Sequence, residues 1–158
     1  MTEINGPASR VRDAAESFGL SVMPIIMPDK TRTAEEAAAA CGCHVAEIVK
    51  SLVFRGIPSG KGVLLLVSGI NRVDEEKVAE PIGERIMRPD AAFVRALTGF
   101  AIGGIPPFGH ATRLPTFIDR ELLAYETVWA AAGTPHAIFS VNPAALARAI
   151  GAVIIDVH

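Results

Sequence analysis

The sequence predicts a single α+β domain whose β-sheet mixes antiparallel and parallel strands. Some predicted strands follow one another across short turns, whereas others are separated by amphipathic helices. This mixture argues against a doubly wound parallel sheet, in which strands and helices alternate throughout. The length of 158 residues suits one domain with a sizeable core, and no internal repeat, linker or low-complexity segment divides it. We therefore expect one domain over residues 1–158.

Helices make up most of the predicted N-terminal part. Pro7 suits the first turn of a helix, whereas Pro24 interrupts a short apolar run and so indicates an edge strand. Thr33 and Glu36 have the spacing of a capping box, and Gly42 suits the end of the helix that follows. The predicted elements are, in order, helix 7–18, strand 22–27, helix 34–41, a short helix over about 44–49 and strand 51–54.

Turns rich in glycine and proline organise the remainder of the chain. The turns at 56–62 and 133–135 each join two apolar runs into a predicted antiparallel pair. Asp74, Asp90 and Asn142 suit the N-cap positions of three helices. The predicted elements here are strands 62–67, 114–118, 127–131, 136–141 and 152–155, and helices 74–80, 90–99 and 143–151.

The segment 103–110, with the sequence GGIPPFGH, leaves no room for a helix or a regular strand. Proline fixes φ at about −65° and glycine permits positive φ, so the main chain sets the shape of this loop. The N–H groups of Gly103 and Gly104 have no side chain in front of them and could donate to an anionic oxygen, as in an oxyanion hole. A tight connection between a helix and a strand is the alternative.

Four polar residues stand beside a predicted strand end or this loop, namely Lys50, His110, Asp119 and His136. Lys50 could hold a phosphate or polarise an ester carbonyl, or it could extend to solvent. His110 could be an acid, a base or a ligand, or an ordinary loop histidine. Asp119 could accept hydrogen bonds from a ribose or an amine, or cap the following turn. His136 begins a strand after a proline turn and faces either the core or a cleft.

Composition and motifs exclude several functional classes. The net charge of −2 disfavours general DNA binding but permits contact with one end of an RNA. No apolar run is long enough for a membrane span and the N-terminus lacks a signal-peptide core, so a cytoplasmic location is expected. Cys41, Cys43 and His44 offer only three potential ligands with the wrong spacing for zinc. With no GxSxG, HExxH or GxGxxG motif, the sequence predicts neither metal nor cofactor.

The residues around Lys50 carry a resemblance to a known family. Residues 33–38 (TAEEAA) followed by 47–54 (EIVKSLVF) resemble the signature of the YbaK / prolyl-tRNA editing domain family. The loop 103–110 is similar to a glycine-rich loop of that family. Asp119, the hairpin 133–139 and the closing helix and strand at 146–157 match in the same order. The resemblance therefore covers nearly the whole chain.

The resemblance implies an α+β domain with a curved, barrel-like mixed sheet surrounded by helices. It implies a free-standing protein that deacylates mischarged aminoacyl-tRNA, mostly tRNA for proline carrying a small amino acid such as alanine or cysteine. The expected partners are the acceptor end of that tRNA and an aminoacyl-tRNA synthetase. A non-catalytic module that binds a tRNA end or a synthetase is the alternative from another class.

The resemblance also implies which residues form the site. Lys50, Gly104 and His136 are the expected catalytic residues. An aminoacyl ester is already activated and needs little beyond a positioned water and a stabilised oxyanion, so the lack of a protein nucleophile fits this chemistry. The expected substrate-binding residues are Gly103, Ile105, Pro106, Pro107, Gly109, His110 and Asp119.

Overall fold

The computed structural model describes residues 6–158, which form five α-helices, eight β-strands and two short 3-10 helices. The α-helices are α1 Pro7–Ser17, α2 Ala34–Cys41, α3 Glu75–Ile82, α4 Ala91–Thr98 and α5 Pro143–Ile150. The strands are β1 Ile25–Ile26, β2 Val49–Ile57, β3 Gly62–Ser68, β4 Arg85–Met87, β5 Thr116–Asp119, β6 Val128–Ala131, β7 Ala137–Val141 and β8 Val153–Ile155. The 3-10 helices are Val45–Glu47 and Arg120–Ala124.

The predicted helix caps are confirmed. At the start of α2 the Glu36 N–H donates to Thr33 Oγ1 and the Thr33 N–H donates to Glu36 Oε1, each at 3.1 Å, which is a complete capping box. Three further helices begin after a side chain that accepts a backbone N–H, namely Asp74, Asp90 and Asn142. Three predicted ends are glycines in the left-handed conformation, namely Gly42, Gly99 and Gly151.

The strands form two sheets joined at one point, which confirms the predicted mixed-sheet α+β fold. A five-stranded sheet has the order β4-β2-β3-β5-β8, with antiparallel pairing from β4 to β3 and parallel pairing from β3 to β8. A three-stranded antiparallel sheet has the order β1-β7-β6. A single parallel bridge between Ile48 and Trp129 links β6 to the start of β2. Both predicted hairpins, β2 with β3 and β6 with β7, are confirmed.

Several predicted boundaries are wrong. The helix expected over about 44–49 is only the 3-10 helix Val45–Glu47, and β2 begins at Val49, which pairs with Ser68. Lys50 therefore lies inside a strand rather than at a helix-to-strand junction. The strand expected over 22–27 is limited to Ile25–Ile26, because Pro24 cannot donate to a strand ladder. Strand β4 was not predicted from the sequence at all.

The central strand β3 divides the core into two apolar layers. Its residues alternate between the two faces, and Leu64 to Val67 are all fully buried. Leu64 and Leu66 belong to the larger cluster, which also contains residues of α1, α4 and α5. Leu65 and Val67 belong to a second cluster with Phe54 and Val78. Within residues 6–158, no helix has the length and apolar character needed to cross a membrane.

Candidate active site

A cavity of about 260 Å³ opens where the two sheets separate. Its walls come from the edge of β2 at residues 48–52, the facing edge of β6 at 129–131, the start of α2 and the loop that follows α4. Strands β2 and β6 meet only at the bridge between Ile48 and Trp129, and β2 is not paired with β4 until Arg55. The gap between the strands therefore creates the cavity.

The edge of β2 presents unpaired backbone groups to this gap. The Gly69 N–H donates to the Ile48 carbonyl at 2.8 Å, and the Gly56 N–H donates to the Lys61 carbonyl at the other end of the hairpin. Even-numbered residues of β2 therefore direct their backbone hydrogen bonds to β3, because these bonds alternate along an antiparallel pair. It follows that the N–H and C=O groups of Ser51 point the other way, toward the cavity.

Lys50 lines the cavity, as expected, and its ammonium is held by the backbone. Its Nζ donates to the Asn71 carbonyl at 2.5 Å. Burial lowers the pKa of the Lys50 ammonium, and the nearby cations Arg72 and Arg88 lower it further, while Glu35 and Asp119 act in the opposite direction. The side chain is only half-buried, so the site combines a held cation with an opening to solvent.

Asp119, which the resemblance assigns to substrate binding, lies behind Lys50 and outside the cavity. The carboxylate is 1% exposed and does not line the cavity. Its Oδ2 accepts from the Ser68 N–H at 3.1 Å and from Asn71 Nδ2 at 2.8 Å, and its Oδ1 accepts from the Glu121 N–H at 2.9 Å. Both oxygens are therefore occupied by the chain. Asp119 caps the following 3-10 helix and fixes Asn71, whose carbonyl in turn holds Lys50.

The glycine loop reaches the cavity through Gly103 and Ile105, but Gly104 faces another way. Gly104 is buried and donates its N–H to the Ala101 carbonyl at 3.1 Å, which closes a turn with Gly103 at φ 97. The expected oxyanion donor at Gly104 is therefore already used. Gly103 lines the cavity, and its N–H has no hydrogen-bond partner among residues 6–158.

The second half of the loop lies away from Lys50, contrary to expectation. Pro107, Gly109 and His110 line a separate cavity of about 270 Å³ beside α1, and Pro106 lines neither cavity. His110 Nε2 lies 2.7 Å from the Pro106 carbonyl, and burial lowers the pKa of this imidazole. Both prolines are buried, and the chain emerges at the second cavity from Gly109 onward.

His136 also lies outside the cavity. Its N–H donates to Thr134 Oγ1 at 3.1 Å within the turn before β7, and its carbonyl accepts from the Met27 N–H. The sequence placed it at the start of a strand, whereas the strand begins at Ala137. His136, the expected catalytic histidine, is therefore not among the residues that line the cavity.

Sequence reasoning missed several lining residues. Arg32 and Thr33 at the start of α2, Ser51 beside Lys50, and Trp129 on β6 all face the cavity. Ser51 directly follows Lys50, but the local sequence pattern gave no sign that Ser51 would line a cavity. The position of Trp129 depends on pairing between distant parts of the chain. Within residues 6–158, no group of three acidic, histidine or cysteine side chains is placed to hold a metal ion.

The structure is that of a small α+β domain with one lysine, Lys50, in the wall of a mostly apolar cavity. A family model for the aminoacyl-tRNA editing domain matches residues 28–149, which include every lining residue of the cavity. The chain belongs to this family. This match confirms the resemblance that the residues around Lys50 carry.

Two solved structures and one curated relative are similar to this chain over most of its length. A candidate trans-editing enzyme for prolyl tRNA synthetase is 46% identical with a TM-score of 0.91, and the match covers 98% of both chains. The hypothetical protein APE2540 is 32% identical with a TM-score of 0.87, over 94% of this chain and 98% of the other. The uncharacterized protein YwhH of Bacillus subtilis (strain 168) is 33% identical over 119 residues, which is 73% of each chain.

Proposed function

We propose that this protein is a trans-acting deacylase that removes a small, wrongly attached amino acid from tRNA, with tRNA for proline as the substrate. Membership of the editing-domain family and the similarity to a candidate trans-editing enzyme for prolyl tRNA synthetase support the class of substrate. The observation that carries the proposal is the cavity itself. It places the Lys50 cation beside a narrow space whose far wall contains Ile105 and Ala130.

The reaction is hydrolysis of the ester that joins the amino acid to the terminal ribose. The oxygen of a water molecule bonds to the carbonyl carbon, the bond from that carbon to the ribose oxygen breaks, and the ribose oxygen takes a proton. The products are a free amino acid and an uncharged tRNA. No histidine or cysteine of residues 6–158 lines the cavity to activate a protein nucleophile. The proposed nucleophile is therefore a water molecule positioned beside the activated ester.

Two groups can stabilise the negative charge that develops on the carbonyl oxygen. Gly103 lines the cavity with an N–H that has no partner among residues 6–158, and Lys50 lines the same cavity with its ammonium bound to the Asn71 carbonyl. A donor that is already in place stabilises the transition state without the cost of reorienting solvent. Lys50 can equally hold the terminal phosphate or ribose, since an ammonium has three donors and only one is used by Asn71.

Cations near the cavity suit an RNA end. Arg32 lines the cavity, and Arg72 and Arg88 lie close to Lys50. None of these arginines forms an ion pair among residues 6–158. A local group of unpaired cations can contact a few phosphates even in a chain of net charge −2. This supports recognition of the acceptor end alone, with a synthetase as the partner that supplies further contacts.

The size of the cavity predicts which amino acids are removed. A volume of about 260 Å³ must hold part of the ribose as well as the amino acid. One methyl group changes discrimination by only about 1–3 kcal/mol in an apolar pocket, so several small amino acids should be accepted. A phenylalanyl group should be excluded.

The test is a deacylation screen with purified protein under multiple turnover. tRNA for proline carries alanine, cysteine, serine, 2-aminobutyrate or phenylalanine, and release of free amino acid is measured. We expect many turnovers with one or more small amino acids and little release of phenylalanine. Binding without turnover would instead identify a non-catalytic module, and comparable release of phenylalanine and alanine would show that the cavity does not select by size.

A further inference from the structure

A cluster of buried polar residues lies directly behind Lys50. Among residues 6–158, five polar or charged residues are buried, and three of these, Ser68, Asn71 and Asp119, are joined by hydrogen bonds. Asp119 is the one charged residue of the five. Burial of polar groups is unfavourable unless each group finds a partner, so the position of this cluster beside a lysine needs an explanation.

Helix capping alone does not explain why Asp119 is buried. Three other side chains cap α-helices from exposed positions, namely Asp74, Asp90 and Asn142. Asp119 caps the following 3-10 helix through Oδ1 alone, which accepts from the Glu121 N–H at 2.9 Å. Its Oδ2 accepts from the Ser68 N–H at 3.1 Å and from Asn71 Nδ2 at 2.8 Å. The second oxygen therefore serves the turn that follows β3.

The turn after β3 is held from two sides. The Gly69 N–H donates to the Ile48 carbonyl at 2.8 Å, which ties the turn to the residue before β2. The Asn71 N–H donates to the Ser68 carbonyl at 2.9 Å, and the Asn71 side chain is bound to the carboxylate behind it. The Asn71 carbonyl is thereby fixed, and it accepts a hydrogen bond from Lys50 Nζ.

On the basis of the proposed function, we propose that Asn71 and Asp119 are positioning residues for deacylation, which act through Lys50 and hold its ammonium where charge develops on the ester oxygen. A lysine side chain is flexible, and fixing one of its three donors restricts the directions of the other two. A donor that is already in place lowers the barrier of the chemical step rather than strengthening substrate binding. Loss of the Asn71 side chain should therefore lower kcat and leave KM nearly unchanged.

Asn71→Ala removes the amide that binds Asp119 but keeps the backbone carbonyl that Lys50 uses. The substrate is the small amino-acid ester of tRNA for proline that wild type hydrolyses fastest, and single-turnover rates are measured over a range of protein concentrations. The maximal rate should fall by about tenfold, which corresponds to the loss of one hydrogen bond. The protein concentration that gives half the maximal rate should stay near its wild-type value. A change confined to that concentration would contradict the proposal.

The double variant of Lys50→Ala with Asn71→Ala tests whether Asn71 acts through Lys50. Substitutions at independent positions have additive effects on free energy, whereas coupled positions do not. In the Lys50→Ala background, Asn71→Ala should therefore change the maximal rate by less than about twofold. A further loss of about tenfold in that background would show that Asn71 acts by another route, and the inference would be wrong.

Asn142→Ala is the matched control for the loss of an asparagine side chain. Asn142 Oδ1 accepts from the Ala145 N–H and its Nδ2 donates to the Glu126 carbonyl, each at 2.9 Å, and the residue lines neither cavity. Asn142→Ala should lower the melting temperature by about 2–4 °C, as expected for a lost helix cap, and keep the wild-type rate. An equal loss of rate in this control would assign the effect of Asn71→Ala to stability alone.

Asp119→Asn tests the second member of the pair without changing its size. Its single carbonyl oxygen cannot serve both the helix cap and the turn, which the two carboxylate oxygens of Asp119 do together. The maximal rate should fall as in Asn71→Ala, and the effect should again disappear in the Lys50→Ala background. A wild-type rate in folded Asp119→Asn would contradict the proposal.

NMR of the lysine side chains tests the position of Lys50 without a substrate. The chain has four lysines, and the other three, Lys30, Lys61 and Lys77, are exposed. The order parameter of Lys50 Cε should exceed those of Lys30 and Lys61 in wild type and fall to their level in Asn71→Ala. An order parameter that stays high in Asn71→Ala would overturn the inference. If wild type hydrolyses no aminoacyl ester, the proposed function itself fails, whereas the order parameter still decides whether Asn71 holds Lys50.

Discussion

Lys50 keeps a cation at a position where burial disfavours the charged form. The pKa of its ammonium is lowered chiefly by burial and also by Arg72 and Arg88, yet the Asn71 carbonyl accepts a hydrogen bond from it. Asn71 is itself fixed by Asp119. The buried Asp119 carboxylate thus positions Asn71, and Asn71 positions the Lys50 ammonium at the edge of the cavity. An ordinary surface lysine would not need such support.

The lowered pKa of Lys50 predicts how the stability of the protein changes with pH. The folded protein binds the Lys50 proton less tightly than the unfolded chain, whose lysines titrate near the ordinary value of 10.5. Because the unfolded state binds more protons between these two pKa values, wild type should gain stability as pH rises through that window. Lys50→Met removes the titrating group and with it this gain. The unfolding free energy of wild type minus that of Lys50→Met should therefore increase as pH rises toward 10.5.

Urea unfolding between pH 7 and pH 10.5 measures this difference directly. Lys61→Met is the matched control, because Lys61 lies exposed in the turn between β2 and β3. The change with pH should be larger for Lys50→Met than for Lys61→Met. A shift in the opposite direction, toward the Lys50→Met variant at high pH, would contradict the lowered pKa.

At the scale of elements, local signals in the sequence account for the helices and hairpins. The capping box at Thr33 and Glu36 and the two tight turns were predicted correctly, since each depends on residues close in sequence. Strand β4 gave no such signal, because it has three residues and only Ile86 is buried. The motif predicted Lys50 beside the cavity, whereas the positions of Asp119 and His110 outside it depend on neighbours from distant parts of the chain.

The glycine loop depends on close packing against another turn. A Cβ atom at Gly104 would lie 2.6 Å from the Thr134 Cα, and backbone atoms cannot easily move aside. Gly104→Ala should therefore displace the loop, with a cost of about 1–3 kcal/mol in stability. Since Gly103 and Ile105 line the cavity on either side of Gly104, kcat/KM for deacylation should also fall.

A second glycine separates the effect on activity from the effect on stability. Gly42 ends α2 at φ 67, and a Cβ there has no neighbour within 4 Å. Gly42→Ala should cost about 1–2 kcal/mol through backbone strain alone and leave kcat/KM unchanged. Melting temperatures and kcat/KM values for both variants provide the comparison. Wild-type kcat/KM in Gly104→Ala would show that the loop does not shape the active cavity.

At the scale of the whole molecule, the site exists because two sheets meet at only one bridge. The pairing of Ile48 with Trp129 brings β6 beside β2, and the strands then separate to leave the cavity. Local sequence patterns predict each strand but not this separation, so the cavity and the role of Trp129 in its wall could not be foreseen. The low net charge and the few unpaired arginines near Lys50 fit recognition of a tRNA end rather than of a long nucleic acid.

The most direct test of the account is single-turnover hydrolysis of alanyl-tRNA for proline by wild type, Lys50→Ala and the control Lys61→Ala. A charge-assisted contact to a phosphate or ester oxygen contributes about 1.5–3 kcal/mol, so Lys50→Ala should slow hydrolysis by at least about tenfold to a hundredfold. Lys61→Ala should retain the wild-type rate, and the melting temperature should show that both variants are folded. A wild-type rate in a well-folded Lys50→Ala protein would contradict the assignment of this cavity as the deacylation site.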